Sequence, residues 1–359
     1  MADSKQAPLD AEAAAKAAFA SVQDQPFPND IFTAPELRWA VIGCGVIANQ
    51  MAQSFALAGR KLAGVANRTL SKAQAFAEQY GIEKVYETVE DLYADPNIDA
   101  VYITTPHNTH ITYLRSALAA GKHVLCEKAI TLNSAELDEA RAIADEHNVV
   151  LMDATTVLHM PLYQELRRRM DAGEFGHMNL AQLNFGSYKE YGDLTNRFYN
   201  RNLAGGAMLD IGVYALSIMR LFMASQPVEV VSLGNTCETG VDVAGGIVCR
   251  NADQQLGVVS LTLHSKQPKR SVISFDKCYI EVNEYPRADH ATIVWTADGH
   301  REEVHAGTEA YALCYEMADL EKAVAGDDSK RELLDYASDV MELMTKLRAD
   351  WGVVYPEEE

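Results

Sequence analysis

Positive charge is scarce in this chain. Its 359 residues include 31 lysines and arginines against 51 aspartates and glutamates, a formal net charge of −20. A protein that reads a phosphate backbone presents a basic face, so no nucleic-acid partner is expected. The deficit also means that an anionic cofactor must be met by a local positive site. Long apolar runs are missing too. None reaches the roughly 18 residues of a membrane helix, which predicts no membrane partner. The start, "MADSKQAPLDAEAAAKAAFA", has neither a basic stretch leading into an apolar one nor a twin arginine. No signal peptide is read there, and a cytoplasmic protein is expected. The six cysteines (Cys44, Cys126, Cys237, Cys249, Cys278, Cys314) are scattered, with no CxxC pair. Neither a zinc site nor a disulfide framework is suggested, and no metal is expected.

What the chain does have is apolar material for a sizeable core: 48% of its residues are hydrophobic and 23% charged. The length suggests two domains. Residues 1–36 stand apart as an Ala-rich, acidic and then proline-punctuated arm, with one short helix expected around 10–22. Such an arm either stays partly unstructured or packs on a neighbouring subunit.

From residue 38 apolar strands alternate with helices. "RWAVIG", "KLAGVANR", "KVY", "DAVYITT", "KHVLCEK" and "VVLMDA" read as strands. The segments between them read as helices, the last opened by "NSAE", a capping-box pattern. This rhythm predicts a doubly wound parallel sheet over 37–155. Residues 156–359 change character. A helix, a long strand over 177–187, a helix around 206–223 and several turn-linked strands up to 305 predict an α+β domain with an open, mostly antiparallel sheet. Two closing helices follow.

"AVIGCGVIANQ" places Gly43, Gly45 and Ala48 as G-x-G-x-x-A between a strand and a helix. The first glycine permits the tight turn, the second lets backbone approach a pyrophosphate, and Ala48 lets helix and strand pack closely. The turn Gly43, Cys44, Gly45, Val46, Ile47, Ala48 is therefore read as a dinucleotide site. An NAD site usually carries an acid about 20 residues on, for the ribose 2′-hydroxyl. Here no acid occurs between Glu36 and Glu78, and Asn67, Arg68 and Lys72 stand in its place. An arginine there can stack on adenine and pair with a 2′-phosphate, so NADP is expected over NAD. Alternatively Arg68 and Lys72 are solvated charges at a helix start.

Thr104, Thr105 and Pro106 end the fourth strand, at the strand edge where ligands of such sheets bind. His107 and His110 follow, and packing or hydrogen bonding around the cofactor is expected of them. Glu127 and Lys128 close the fifth strand at the same rim. They are either a solvated strand end or a site pair. In "GGAMLDIGVYAL", Asp210 and Tyr214 lie four residues apart and share a helix face.

With these marks in order, the chain resembles the glucose–fructose oxidoreductase, inositol dehydrogenase and rhizopine-catabolism family (Gfo/Idh/MocA) over about 38–350. The carriers are "GCGVIA", "TPHNTH", "CEKAITLNSAEL" and "RFYNRNLAGGAMLDIGVYAL". The family's Glu-Lys-Pro motif falls on Glu127, Lys128 and Ala129, so alanine replaces proline and the turn is less rigidly set. Its glycine-rich Asp-x-Gly-x-His/Tyr motif falls on Gly205, Gly206, Ala207, Asp210, Gly212 and Tyr214. Tyrosine at the last position resembles the branch of glucose–fructose oxidoreductase and dimeric dihydrodiol dehydrogenase, whose members mostly use NADP.

The resemblance implies a hydride-transferring enzyme for a sugar, polyol or vicinal diol. It implies Lys128, Tyr214 and Asp210 as the chemical groups. Tyr214 accepts or returns the substrate proton with its pKa lowered by Lys128, or Lys128 does so directly. Arg197 is placed at the substrate or nicotinamide side. Assembly as a homodimer or homotetramer through the open sheet is implied as well. The substrate's contacts are expected within 156–200, where "FGSYKEYGD" offers tyrosines, a lysine and acids. A non-catalytic, cofactor-sensing regulator on the same fold is the alternative, and retention of both Lys128 and Tyr214 favours the enzyme.

Overall fold

A computed structural model describes residues 9–23 and 25–359. After α1 (Leu9–Val22), strands and helices alternate: β1 (Trp39–Ile42), α2 (Val46–Leu57), β2 (Gly64–Ala66), α3 (Leu70–Tyr80), β3 (Lys84–Tyr86), α4 (Val89–Ala94), β4 (Ala100–Ile103), α5 (His110–Ala119), β5 (His123–Cys126), α6 (Ser134–Glu146) and β6 (Leu151–Asp153). The six strands pair in parallel in the order β3-β2-β1-β4-β5-β6. β1 and β4 are buried at every position, because helices cover both faces of the sheet. Strand order reverses between β1 and β4, which opens a crevice beyond their C-terminal ends. The cap at "NSAE" is present: Asn133 accepts from the Glu136 amide at 3.0 Å, while the Glu136 carboxylate reaches one residue further back than expected, to the Leu132 amide at 2.9 Å.

The second domain begins with α7 (Pro161–Asp171) and β7 (Met178–Gly186). It continues through α8 (Val213–Phe222), β8 (Pro227–Thr236), β9 (Asp242–Asn251), β10 (Leu256–Thr262), β11 (Gln267–Phe275), β12 (Cys278–Asn283), β13 (His290–Trp295) and β14 (Arg301–His305). These eight strands run β14-β13-β12-β11-β7-β10-β9-β8, antiparallel except for the β7–β10 pair. α8 covers one face of the sheet. On β8, β9 and β10, Val228, Val231, Leu233, Val248 and Leu256 remain exposed. Arg201–Phe222 is apolar enough in composition to cross a bilayer, but 78% of its most apolar window is buried inside the fold.

Three details differ from the sequence reading. The expected single helix over 206–223 opens with a π-helical turn, Met208–Gly212, before α8. The closing helices α9 (Ala312–Val324), α10 (Asp328–Arg331) and α11 (Leu333–Asp350) do not stay with the second sheet. α9 packs on α2 and β5, sharing an apolar cluster with Val41 and Phe55, and α11 packs against both α6 and α8. Finally, the described part of the arm docks on its own chain rather than reaching outward. Phe27 meets the Tyr311 ring edge-on at 5.1 Å, and Phe32 lies beneath the Arg60 guanidinium at 3.7 Å.

Candidate active site

The turn after β1 is shaped for an anion. Gly43 has φ +101°, and a Cβ there would stand 2.6 Å from Thr104 Oγ1, so the turn closes onto the end of β4 only with glycine. A Cβ on Gly45 would meet nothing within 4 Å, which leaves the loop's outer side open. Gly45 caps α2 with no side-chain partner for the first amides, so the helix's N–H groups and partial positive charge face that opening. Ala48 is fully buried, as close packing of helix and strand requires. Burial pushes the Cys44 thiol up to about 11, with Lys72 opposing it, so Cys44 stays protonated and Lys72 lies near this turn. At the end of β2, Asn67 Nδ2 donates to the Thr69 carbonyl at 2.9 Å. Arg68 and Lys72 are exposed, and among the described residues neither forms an ion pair. The residues fit a dinucleotide.

The other rim is built by backbone carbonyls. Thr105 Oγ1 accepts from Thr109 Oγ1 at 2.8 Å, and Pro106 starts the turn leading to α5. His107 places one ring nitrogen 3.0 Å from the Lys128 carbonyl and the other 3.3 Å from the Ala204 carbonyl. His110 spends its ring on the Thr105 carbonyl at 2.8 Å and the Ala129 carbonyl at 3.0 Å. Burial drives His107 down to about 3 and lowers His110 as well. His110 is fully buried. It shapes the loops that would hold the cofactor. The two rings also correct the expectation of a loosely set turn. Ala129 is buried, and the histidines tie this turn to the second domain and to α5.

Lys128 leaves this turn and meets the helix of the second domain. Its Nζ donates to the Asp210 carbonyl at 2.7 Å and to Asp210 Oδ1 at 3.3 Å, and lies 4.9 Å from the centre of the Tyr214 ring. Arg197 donates to the same Oδ1 at 3.1 Å, so its observed partner is Asp210. Burial opposes the charge of Lys128, but Tyr214 and Asp210 outweigh it and hold the ammonium above the ordinary lysine value. For Asp210, Lys128 and Arg197 overcome burial and keep the carboxylate ionised. For Tyr214 burial wins. It raises the phenol although Lys128 pulls it down, contrary to the lowered value expected from the sequence. Behind Lys128, Tyr102 donates to the Glu127 carboxylate, which burial raises against the pull of that bond and of Lys128.

The sequence reading missed the support of this helix. Asp242, fully buried at the start of β9, accepts the Met208 amide at 2.6 Å. It thus neutralises the positive end of the segment that carries Asp210 and Tyr214. A Cβ on Gly206, at φ +126°, would stand 2.3 Å from Asp242 Oδ1, so glycine is required there. Tyr355 Oη donates to the Gly205 carbonyl at 2.7 Å. Beside it Arg348 bonds the Leu132 carbonyl at 2.6 Å and Glu358 at 2.7 Å, linking the C-terminal segment to the first domain. Glu357 completes the strap by accepting from Asn108 at 2.6 Å. An acid opening a strand just past a glycine ("GVD") is the only sequence signal for Asp242.

A parallel sheet of this order, an open glycine turn at its switch point and a lysine facing a tyrosine from a second domain define a nicotinamide-dependent oxidoreductase. Comparison with known proteins agrees. Residues 37–155 match the model of the oxidoreductase family with an NAD-binding Rossmann fold, and 163–281 match the Gfo/Idh/MocA C-terminal domain. The chain is 32% identical to trans-1,2-dihydrobenzene-1,2-diol dehydrogenase of Mus musculus over 254 residues, 69% of this chain and 75% of that one. It is 28% identical to the Sus scrofa protein of that name over 340 residues, 90% and 99% of the two chains. Among solved structures it resembles the aldose–aldose oxidoreductase of Caulobacter crescentus complexed with glycerol, at TM-score 0.77 and 22% identity over 88% of this chain and 97% of that one. Levoglucosan dehydrogenase complexed with NADH and levoglucosan follows at TM-score 0.76 and 19% identity, over 87% and 97%. The chain belongs to the Gfo/Idh/MocA family and is an NAD(P)-dependent oxidoreductase.

Proposed function

We propose that this enzyme prefers NADP and transfers hydride between the nicotinamide and a CH–OH carbon of a sugar, polyol or vicinal diol. The observation that carries the reading is Lys128, held at the sheet's C-terminal rim by Asp210 and positioned over the Tyr214 ring. The relatives named for diol, aldose and levoglucosan chemistry support the substrate class. Free cations at Arg68 and Lys72, with no acid nearby in sequence, support NADP.

When bound, the cofactor supplies or accepts hydride at C4 of the nicotinamide. Among the described residues the Tyr214 hydroxyl has no hydrogen-bond partner, so it is open to a substrate oxygen. In the reducing direction the neutral phenol donates its proton to the alkoxide oxygen formed from the carbonyl. The Lys128 ammonium stabilises the resulting phenolate and the substrate oxygen. In the oxidising direction the phenolate takes the hydroxyl proton. Asp210 keeps Lys128 charged and fixed, and Arg197 steadies Asp210. The exposed apolar face of β8, β9 and β10 is the surface through which copies of the chain associate, and a monomeric mass at micromolar concentration removes that part of the reading.

The test is initial rates with NADP⁺ and NAD⁺ across aldoses, inositols and vicinal diols, and with NADPH on the matching ketones and aldehydes. Turnover of one class with NADP⁺ favoured is expected. Silence across the panel by protein that still binds NADPH overturns the assignment.

A further inference from the structure

Lys189 is a cation that the chemistry above does not use. It follows β7, and its backbone is fixed on both sides: the amide donates to the Leu263 carbonyl at 2.7 Å, and the carbonyl accepts from Tyr199 Oη at 2.9 Å. The side chain is half-buried, with Nζ 4.2 Å from the centre of the Phe198 ring. Arg197 stands over the same ring, its Cζ 4.8 Å from the centre. Arg197 also holds Asp210, which holds Lys128. Lys128 and Arg197 thus meet at Asp210, and Arg197 and Lys189 meet at the Phe198 ring.

Two of these cations share one carboxylate. Asp210 Oδ1 accepts from both Lys128 and Arg197, and among the described residues no carboxylate pairs with Lys189. The neighbouring Lys269 is already balanced by Glu284 at 2.7 Å. Burial disfavours the Lys189 ammonium; Asp210 supports it, while Arg197, Lys128 and Lys269 repel it. A partly desolvated ammonium without a counter-charge is costly, and an incoming anion removes that cost. In a chain of net charge −20, such a local excess of positive charge also draws anions selectively to this mouth. The cofactor's phosphates are answered elsewhere, by the Gly45 turn with Arg68 and Lys72 of the first domain.

We propose that Lys189 and Arg197 form an anion subsite, and that the substrate carries a carboxylate or phosphate a few bonds from its reacting CH–OH carbon. The proposal rests on the oxidoreductase reading above and narrows its substrate class. The reacting carbon sits at Tyr214 and Lys128, and the anionic group bridges Arg197 and Lys189 across the Phe198 face.

The experiment is kcat and KM of the NADP-loaded enzyme for matched substrates: an aldose, its uronate and its phosphate ester. At low salt at least one anionic member should exceed the neutral one in kcat/KM by about tenfold or more, as for a hydrogen bond to a charged group. That advantage should shrink as salt is raised. In Lys189→Gln the anionic-to-neutral ratio should collapse, mainly through KM, and Lys189→Arg should restore it. The two anionic arms separate carboxylate from phosphate. Equal kcat/KM for all three members, or a ratio that Lys189→Gln leaves intact, overturns the subsite while the oxidoreductase reading stands. No turnover of any member by protein that binds NADPH overturns both.

Discussion

The Lys128 ammonium lies 4.9 Å from the centre of the Tyr214 ring, yet its hydrogen bonds go to Asp210 and not to the phenol. The phenol is therefore stabilised as an ion only through space, and burial raises it above its ordinary value. The two directions of reaction should then diverge with pH. Reduction needs the neutral phenol and should hold its rate through neutral pH, falling only at strongly alkaline pH. Oxidation needs the phenolate and should climb as pH rises towards that same range. Single-turnover rates from pH 6 to 10 check this. Parallel trends in the two directions, or each trend reversed, would falsify Tyr214 as the proton group. Tyr214→Phe should lower both directions by about 100-fold or more.

Lys128→Met keeps the length of the side chain and removes the charge. Asp210 then loses the first of the cations that hold it ionised, and the phenolate loses its main through-space partner. Turnover should fall by about 100-fold or more while NADPH affinity changes little, because the glycine turn is untouched. Fluorescence titration with NADPH beside steady-state rates separates the two effects. Wild-type turnover in both Lys128→Met and Tyr214→Phe removes the mechanism.

Arg68 is where the proposed preference for NADP can be tested. It is exposed, uncompensated by any acid on its own strand, and stands where an NAD enzyme places a carboxylate. Hydrogen bonds to a charged phosphate contribute about 1.5–3 kcal/mol, so Arg68→Ala should lower NADPH affinity by roughly 10- to 100-fold. NADH affinity should hardly move. An unchanged NADPH-to-NADH ratio sinks the NADP assignment.

The first domain was legible because its signals are local. Apolar runs of strand length, glycines at fixed offsets and an acid missing over forty residues all sit within short windows, from "AVIGCGVIANQ" to "ANRTLSK". Lys128, Asp210 and Tyr214 were legible only as a motif, and the structure supplies the contact that joins them across 82 residues. The rest depends on partners that sequence distance hides. Asp242 caps a helix 34 residues upstream, and Tyr355 bonds a carbonyl 150 residues away. In "DWGVVYPEEE", Glu358 accepts from Arg348 and Glu357 from Asn108, partners that no local pattern names. The periodicity of α9 shows an apolar stripe but not which sheet the stripe covers. His107 and His110 read as packing or hydrogen-bonding groups by position, and only the structure shows which carbonyls their rings meet.

Asp242 gives the sharpest test of that hidden support. Its burial lifts the carboxyl to about 6, although the Met208 amide and Arg348 pull it back. The groups facing it are the Ala207 and Met208 amides, the Arg348 guanidinium and the Tyr355 hydroxyl. Between the ordinary carboxylate value of 3.8 and about 6, the folded state binds a proton that the unfolded state has released. Stability owed to this group therefore falls as pH rises through that window and is constant above it. Asp242→Asn keeps an oxygen for the Met208 amide but does not titrate. Other buried acids, among them Asp153 at about 7, are present in both proteins and cancel in the difference. Urea unfolding of the two proteins from pH 4 to 7.5 should show wild type losing ground to Asp242→Asn up to about pH 6 and then running parallel to it. A gap that stays constant across the whole range means the carboxyl is not raised in the folded state.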